Sequence, residues 1–240
     1  MTDILLIHGS CHGAWCWRDL TPALEARGHT VRTIDLPGNG SGHENERDLG
    51  QVTLQESAEA ILAATTPDTL VLGHSWAGYP ISAAAEINPQ AMRGLIYLCA
   101  YVPRSGLSLI DMRKAGPRQT IGSAAIKDPT GTSYTIDTAE APRLFYHDCP
   151  AEAVAYALPR LCPQAIKPQD TPLTLGENWQ NTAKAYIRCT NDQTIPPEYQ
   201  AEMVADWPRE MVHDMHCSHS PFFADPEGLA DLIGQIAKDI

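Results

Sequence analysis

The segment GHSWAG at residues 73–78 constrains the fold of this chain more than any other stretch. The apolar run TLVL at residues 69–72 precedes it, and small, helix-compatible residues from Pro80 to Ile87 follow it. This order predicts a buried strand, a sharp turn and a helix, with Ser75 at the helix N-terminus, as in G-x-S-x-G turns that present a nucleophile. Position 77 is Ala instead of the second Gly, a change of one methyl group. A chance Gly-x-Ser before a surface helix is the alternative, but the flanking strand and helix favour the nucleophile turn.

Buried strands and amphipathic helices alternate along the first hundred residues and again near the C-terminus. The predicted strands are Ile4–Ile7, Val31–Ile34, residues 69–72, Gly94–Leu98, Ala185–Cys189 and Glu210–Val212. Thr53 and Glu56 form a capping-box pattern that opens a helix, and the polar residues 41–50 predict a surface loop. The alternation predicts an α/β fold with a mostly parallel, doubly wound sheet of about six strands. A ligand site in such a fold lies at the carboxyl ends of the strands.

The alternation stops between residues 103 and 171. This stretch is rich in proline, shows no clear strand pattern, and carries apolar groups that predict helices at Leu144–Tyr146 and Ala151–Leu158. We therefore predict a small helical cap, inserted as residues 103–171 into a core made of residues 1–102 and 172–240. A disordered linker is the alternative, which the aromatic residues of the stretch disfavour.

A serine nucleophile needs a base that removes its proton and an acid that orients the base. Chains with this kind of turn supply Asp or Glu, and then His, later in the sequence. Asp192 follows the predicted fifth strand, and His213, His216 and His219 follow the sixth. We assign Asp192 as the acid and His219 as the base, because His219 directly precedes the last helix, and His216 is the rival base. The three histidines lack a motif such as H-E-x-x-H, so we predict no metal site.

Two backbone N–H groups are candidates for binding the oxyanion of a tetrahedral intermediate. One is the N–H of Trp76, at the start of the helix that follows the turn. The other is the N–H of Ser10, in the loop after the first strand, where Gly9 lets the chain pass close to the site. An ordinary tight turn is the alternative for this loop, and the presence of the serine turn disfavours it.

The charge balance and the terminal sequence bear on partners and compartment. The 240 residues carry a formal net charge of −12 with no basic cluster, which argues against nucleic acid and anionic membranes as partners. No apolar run approaches the roughly 20 residues of a membrane span, and the N-terminus has no signal-peptide pattern. Seven scattered cysteines indicate a reducing compartment. We expect a cytoplasmic protein that acts on a small molecule, either as a monomer or as a homodimer.

Several segments together resemble the α/β-hydrolase fold, and more narrowly its methylesterase and hydroxynitrile-lyase branch. They are LIHGSCHGAWCW at residues 6–17, GHSWAG at 73–78, AYVP at 100–103, residues 192–200 and residues 219–226. The resemblance implies a triad of Ser75, Asp192 and His219, no cofactor, and a pocket between core and cap for esters of small, mainly apolar acids. It implies that Tyr101 lines this pocket. The bulky Trp76 is a departure, and we expect it to narrow the acyl side.

We predict a serine carboxylesterase that works through an acyl-enzyme intermediate. The resemblance implies that lyases of this branch carry Thr at the position of Gly9 and Lys directly after the catalytic His, where this chain has Ser220. We expect Gly9 to leave room for the carbonyl oxygen of an ester. A hydroxynitrile lyase and a non-catalytic small-molecule binding protein of the same fold are the alternatives.

Overall fold

The computed structural model describes residues 1–40 and 47–240. Residues 41–46 of the predicted surface loop lie outside this described part. The described residues form the strands β1 Asp3–Ile7, β2 Thr30–Ile34, β3 Thr69–His74, β4 Gly94–Leu98, β5 Ala125–Lys127, β6 Ser133–Ile136, β7 Gln164–Ala165, β8 Lys184–Cys189 and β9 Val212–Met215. They form the helices α1 Leu20–Ala26, α2 Leu54–Ala63, α3 Gly78–Ile87, α4 Leu109–Ala115, α5 Ala141–Phe145, α6 Ala151–Ala157, α7 Glu177–Asn181, α8 Pro197–Met203, α9 Pro221–Ala224 and α10 Pro226–Asp239.

Six of the strands form one parallel sheet, in the order β2-β1-β3-β4-β8-β9. This confirms the predicted α/β fold with a parallel sheet of about six strands. Every residue of β3 is buried, because helices cover both faces of the sheet. Parallel strands end at the same edge, so the segments that follow β1, β3 and β8 meet there. That edge brings residues 8–13, Ser75 and Asp192 into one region.

Helices pack on both faces of this sheet. Ile4 and Leu6 share a core cluster with α1 and α10, whereas Leu5 and Ile7 share one with α2 and α3. The alternation of these neighbours follows from the two-residue period of a strand. The capping box predicted at the start of α2 is present. Asp225 caps α10 by accepting a hydrogen bond from the N–H of Gly228, the third residue of the helix. None of the helices in the described part of the chain combines the length and apolarity that a bilayer crossing requires.

The last strand lies later in the chain than predicted. The sequence indicated Glu210–Val212, but Arg209–Met211 form a 3-10 turn and β9 follows it. β9 is an edge strand, so part of it faces solvent, where Asp214 pairs with Arg188 across 2.6 Å. The four residues of β9, VHDM, show no alternation of polar and apolar residues that would identify a strand from sequence.

The stretch from residue 103 to 171 contains more than the predicted helices. α5 and α6 lie close to the predicted positions, and α4 precedes them. In addition, β5, β6 and β7 form an antiparallel three-stranded sheet, so the expectation of no strand here was wrong. These strands hold two to four residues each, which is shorter than any periodic pattern can reveal. The division into core and inserted cap stays a prediction, and we call residues 103–171 the cap segment.

Candidate active site

Ser75 stands on a strained turn at the carboxyl end of β3. Its φ is +58°, in the left-handed region that non-glycine residues rarely adopt. Glycines on either side permit this turn, because a Cβ at Gly73 would lie 2.7 Å from Ile81 Cδ1 and a Cβ at Gly78 would collide with the carbonyl oxygen of Tyr101. The position in this turn where the backbone packs directly against the segment at Tyr101 is therefore residue 78. This explains why the turn forms although position 77 is alanine.

The structure brings Ser75, His219 and Asp192 together in one hydrogen-bonded chain. Ser75 Oγ lies 3.0 Å from His219 Nε2, and His219 Nδ1 lies 2.7 Å from Asp192 Oδ2. His219 and Asp192 are each 1% exposed and Ser75 is 7% exposed. Because Nδ1 faces a carboxylate, it carries the imidazole proton, and Nε2 is free to accept the serine proton. These are the distances and the tautomer that nucleophile activation requires.

The carboxylate of Asp192 is held by four donors. Besides His219, the backbone N–H groups of Thr194 and Ile195 donate to Oδ1 at 2.6 and 3.0 Å. Gln200 Nε2 donates to Oδ2 at 2.9 Å, and Gln200 is itself fully buried. These bonds offset the cost of burying the charge and fix the carboxylate plane. No role for Gln200 was predicted from the sequence. Gln200 is the fourth residue of α8, the helix that follows the loop carrying Asp192.

The rival histidines lie elsewhere. His216 is exposed and its Nδ1 lies 3.0 Å from Thr190 Oγ1. His213 is part of the edge strand β9 and is half-buried. Among the described residues, His74, Cys99 and His219 could in principle ligate a metal ion together, because their potential ligand atoms lie within 4.8 Å of one another. Both ring nitrogens of His219 are already engaged in the chain described above, so a metal at this position would displace Ser75 or Asp192.

His74 supports the backbone of His219 and was not identified from the sequence. Its Nε2 donates to the carbonyl oxygen of His219 at 2.8 Å, and the two ring centroids are 4.6 Å apart. Burial holds the pKa of His74 well below its usual range, so the ring is neutral. His74 occupies the x position of G-x-S. That position next to a nucleophile was the one signal for its role.

The side-chain position of Gly9 is filled by neighbours. A Cβ there would lie 2.6 Å from His74 Nδ1 and 3.0 Å from Ser75 Cβ. Gly9 therefore serves close packing, and the expectation that its missing side chain opens a space for an ester oxygen was wrong. The physical reason is that a large ring at position 74 takes up the volume in front of the Gly9 Cα.

The loop that carries Ser10 is held by side chains of the cap segment. Gln169 Nε2 donates to Ser10 Oγ at 2.7 Å, and the Cys11 N–H donates to Gln164 Oε1 at 3.2 Å. His12 Nδ1 donates to the carbonyl oxygen of Ser10 at 2.7 Å, while the hydroxyl of Tyr146 donates to His12 Nε2 at 2.6 Å. The bond between His12 and Ser10 is local. The partners in each of the other three bonds are at least 134 residues apart in the sequence. None of them could be predicted from the sequence.

The two residues whose N–H groups are the predicted oxyanion donors, Ser10 and Trp76, line the same cavity as Ser75. The N–H of Trp76 belongs to the first turn of the 3-10 helix Ser75–Ala77, where backbone donors lack an intrahelical partner. Among the described residues, none accepts a hydrogen bond from the N–H of Ser10. An oxyanion site requires backbone donors of this kind, and the assignment of these two N–H groups stays a prediction.

The cavity is small and mostly apolar. Its free space is about 20 Å³, which compares with the roughly 10–15 Å³ that one water requires on the same measure. Tyr101, 6% exposed, lies in its wall as expected. The lining residues are Ser10, His12, His74, Ser75, Trp76, Tyr101, Leu109, Arg113, Ile121, Tyr134, Ile136, Phe145, Thr194 and His219. Six of these residues belong to the cap segment, namely Leu109, Arg113, Ile121, Tyr134, Ile136 and Phe145. The cap segment therefore forms much of the wall.

Three buried neutral histidines make the fold sensitive to acid. Burial lowers the pKa of His8, His12 and His74, and that of His12 falls to about 3. In the unfolded chain these groups bind protons near pH 6.5, whereas the folded protein does not, so stability decreases as the pH falls below about 6.5. We expect His12 alone to account for about 2 kcal/mol between pH 7.5 and pH 5.

Urea unfolding curves at pH 7.5 and pH 5 measure this loss. His12→Gln should reduce the pH dependence by about 2 kcal/mol over this interval, whatever its effect on stability at pH 7.5, because one of the three titrating histidines is removed. His216→Gln is the matched control, since His216 is exposed, and it should leave the slope unchanged. Equal stability of the wild type at both pH values would contradict the expectation.

Comparison with known proteins shows which family this chain resembles. A model of the family described as "Alpha/beta hydrolase family" matches residues 4–232. A pyrethroid hydrolase of Sphingobium wenxiniae is 31% identical over 249 residues, covering 99% of this chain and 88% of that protein. Methylesterase 1 of Arabidopsis thaliana is 28% identical, covering 97% and 95%. The crystal structure of a pyrethroid hydrolase from Sphingobium faniae JZ-2 aligns with a TM-score of 0.86 at 28% identity, covering 99% and 97%.

Proposed function

This chain belongs to the alpha/beta hydrolase family, and on that basis we propose that it is a serine carboxylesterase acting on esters of small, mainly apolar acids. The single observation that carries the proposal is the buried hydrogen-bonded chain from Ser75 through His219 to Asp192. Relatives called pyrethroid hydrolase and methylesterase support ester substrates. In this proposal residues 103–171 act as a cap over a core of residues 1–102 and 172–240.

The first half of the reaction forms an acyl-enzyme. Ser75 Oγ attacks the ester carbonyl carbon while His219 Nε2 takes the serine proton, and the new positive charge on the ring faces Asp192. The carbonyl oxygen becomes an oxyanion, which accepts hydrogen bonds from the N–H groups of Ser10 and Trp76. The intermediate then collapses: the bond to the alcohol oxygen breaks, and His219 gives its proton to the leaving alcohol.

The second half returns the enzyme to its starting state. A water molecule enters the position left by the alcohol, and His219 Nε2 removes one of its protons as its oxygen attacks the acyl carbon. The second tetrahedral intermediate uses the same two N–H donors. When it collapses, Ser75 Oγ leaves and recovers the proton from His219, and the carboxylic acid is released.

The wall of the cavity supports a preference for compact acyl groups. Leu109, Ile121, Ile136 and Phe145 offer apolar surface, and Trp76, 1% exposed, limits the space beside Ser75. The free volume accommodates little more than a water molecule, so any acyl group requires movement of these side chains, and a longer chain requires more movement than a compact one.

A covalent probe tests the proposal directly. A p-nitrophenyl phosphonate should react with Ser75, which releases p-nitrophenol and adds the mass of the phosphonyl group to the intact protein. Ser75→Ala should show neither change, whereas Ser105→Ala, at a serine outside the cavity lining, should behave like the wild type. Labelling that persists in Ser75→Ala would contradict the assignment of the nucleophile.

The two alternatives give different results with the same proteins. A hydroxynitrile lyase would release cyanide from mandelonitrile in a Ser75-dependent reaction, and a binding protein would gain thermal stability from ligands without labelling. The residue after His219 does not favour the lyase. Ser220 is uncharged and fully buried, and a lysine there would bury a charge.

A further inference from the structure

One cation reaches the wall of the cavity. α4 begins with a capping box between Ser108 and Asp111 and is seven residues long. Leu109 and Arg113 are four residues apart on this helix, so they share a face, and both line the cavity that contains Ser75. Arg113 is half-buried. The helix therefore carries a guanidinium group to the edge of an otherwise apolar wall.

Arg113 differs from the other arginines in having no partner for its side chain. Within residues 1–40 and 47–240, every other arginine donates a side-chain hydrogen bond to a carboxylate or a carbonyl oxygen; these are Arg18, Arg27, Arg32, Arg47, Arg93, Arg104, Arg118, Arg143, Arg160, Arg188 and Arg209. A guanidinium has five N–H donors in a planar fork that matches a carboxylate. The guanidinium donors of Arg113 are therefore available to an acceptor on a ligand that enters the cavity.

The charge around Arg113 also favours an anion. The chain carries a net charge of −12, yet no Asp or Glu is among the described residues that line the cavity. On its outer side Arg113 borders a second cleft, where Lys114 and Lys127 are opposed by Asp170 alone. Burial raises the pKa of Tyr101 and Tyr134, and the charge of Arg113 acts against this increase in both. Its positive field thus extends across the cavity to both phenol groups.

We propose that Arg113 binds a carboxylate on the substrate, so that the preferred substrates are esters that carry a negative charge at the end remote from the scissile bond. This inference rests on the proposed esterase function. The apolar wall would then contact the middle of the substrate, and the two oxygens of the carboxylate would accept hydrogen bonds from the guanidinium fork. The carboxylate can belong to the acid part or to the alcohol part of the ester, and both sources present the same chemistry to Arg113.

Matched pairs of esters distinguish these two sources. For the acid part, monomethyl adipate is compared with its neutral primary amide, methyl 5-carbamoylpentanoate. For the alcohol part, 4-acetoxybenzoate is compared with 4-acetoxybenzamide. Within each pair the shape is conserved and only the charge changes. We expect kcat/KM to be roughly 10- to 100-fold higher for the anion in at least one pair.

Substitution of Arg113 should remove this preference. Arg113→Gln should lower kcat/KM for the preferred anionic ester, so that the ratio of kcat/KM between the anionic and the neutral member of the pair falls by that same factor. Arg113→Lys keeps the charge but not the fork, so an intermediate preference is expected. Arg118→Gln is the control, because it removes an exposed arginine paired with Glu198 and should change neither rate.

A binding measurement tests Arg113 even if turnover fails. Calorimetry with adipate and with 4-hydroxybenzoate, the product acids, should detect binding to the wild type and to Ser75→Ala, and weaker binding to Arg113→Gln. A wild type that shows no preference for the anion in either pair, or an Arg113→Gln protein that keeps the anion preference, would overturn the inference. Absence of both phosphonate labelling and ester turnover, with acid binding still dependent on Arg113, would refute the esterase proposal and leave the anion site standing.

Discussion

His219→Ala is expected to reduce kcat/KM for a small aryl ester by about 10⁴-fold or more, as loss of a triad base does in serine hydrolases. The reason is geometric. His219 Nε2 lies 3.0 Å from Ser75 Oγ, and its other nitrogen is fixed by Asp192 at 2.7 Å. No other described side chain accepts a proton from Ser75 Oγ, so the variant has no group to activate the nucleophile.

His216→Ala is the matched control for this variant. The residue lies three positions earlier in the same loop, is exposed, and bonds to Thr190 instead of the serine. Its removal should leave kcat/KM within about threefold of the wild type. Steady-state rates with p-nitrophenyl acetate, together with circular dichroism to establish folding, measure both. A severe loss in His216→Ala with retained activity in His219→Ala would reverse the assignment of the base.

Asp192→Asn is expected to cost roughly 10⁴-fold in kcat, the size of the effect for an amide at this position in a serine protease. Both carboxylate oxygens of Asp192 act only as acceptors: Oδ1 from two backbone N–H groups, and Oδ2 from His219 and Gln200. An amide has one acceptor oxygen, so its NH₂ group must face donors on one side. If it faces His219, the imidazole takes the tautomer whose proton is on Nε2, and that nitrogen cannot accept the serine proton.

Two further variants separate this effect from a general loss of charge. Asp214→Asn removes a carboxylate that pairs with Arg188 on the edge strand, away from the serine, and should leave kcat unchanged. Gln200→Leu removes one of the four donors to Asp192 and should lower kcat by less than Asp192→Asn does. Near-normal kcat in Asp192→Asn, with correct folding, would mean that a different carboxylate orients the base.

The features that could be predicted from the sequence are those encoded within short stretches. Apolar β-branched runs fixed the inner strands to within a residue or two, because buried parallel strands tolerate little else. The turn around Ser75 was identifiable from small residues within six positions. Asp192 and His219 could be predicted because folds of this kind carry the serine, the acid and the histidine in that order along the chain. In the structure His219 contacts Ser75, and Asp192 contacts His219.

The features that could not be predicted depend on contacts between distant residues. Gln169 lies 159 positions from Ser10, its hydrogen-bond partner, and nothing near either residue indicates the pair. The role of Gly9 was misjudged because its Cα packs on a ring that sequence alone does not place there. The strands β5, β6 and β7 escaped detection because they are held by pairing with each other more than by their own pattern.

The hydrogen bonds between the loop at residues 10–12 and the side chains of Gln164, Gln169 and Tyr146 have a consequence for the divergence of such enzymes. The cap segment lines the cavity and also holds the loop that carries the proposed oxyanion donor, so a change in this segment is expected to alter substrate recognition and turnover together. Exchanging residues 103–171 for the equivalent stretch of a relative would impair the chemical step along with changing selectivity, unless the loop after β1 were transplanted with it. Directed evolution of new selectivity is therefore best confined to positions of the cap segment that line the cavity but make no side-chain hydrogen bond to that loop, such as the apolar residues Ile121 and Ile136.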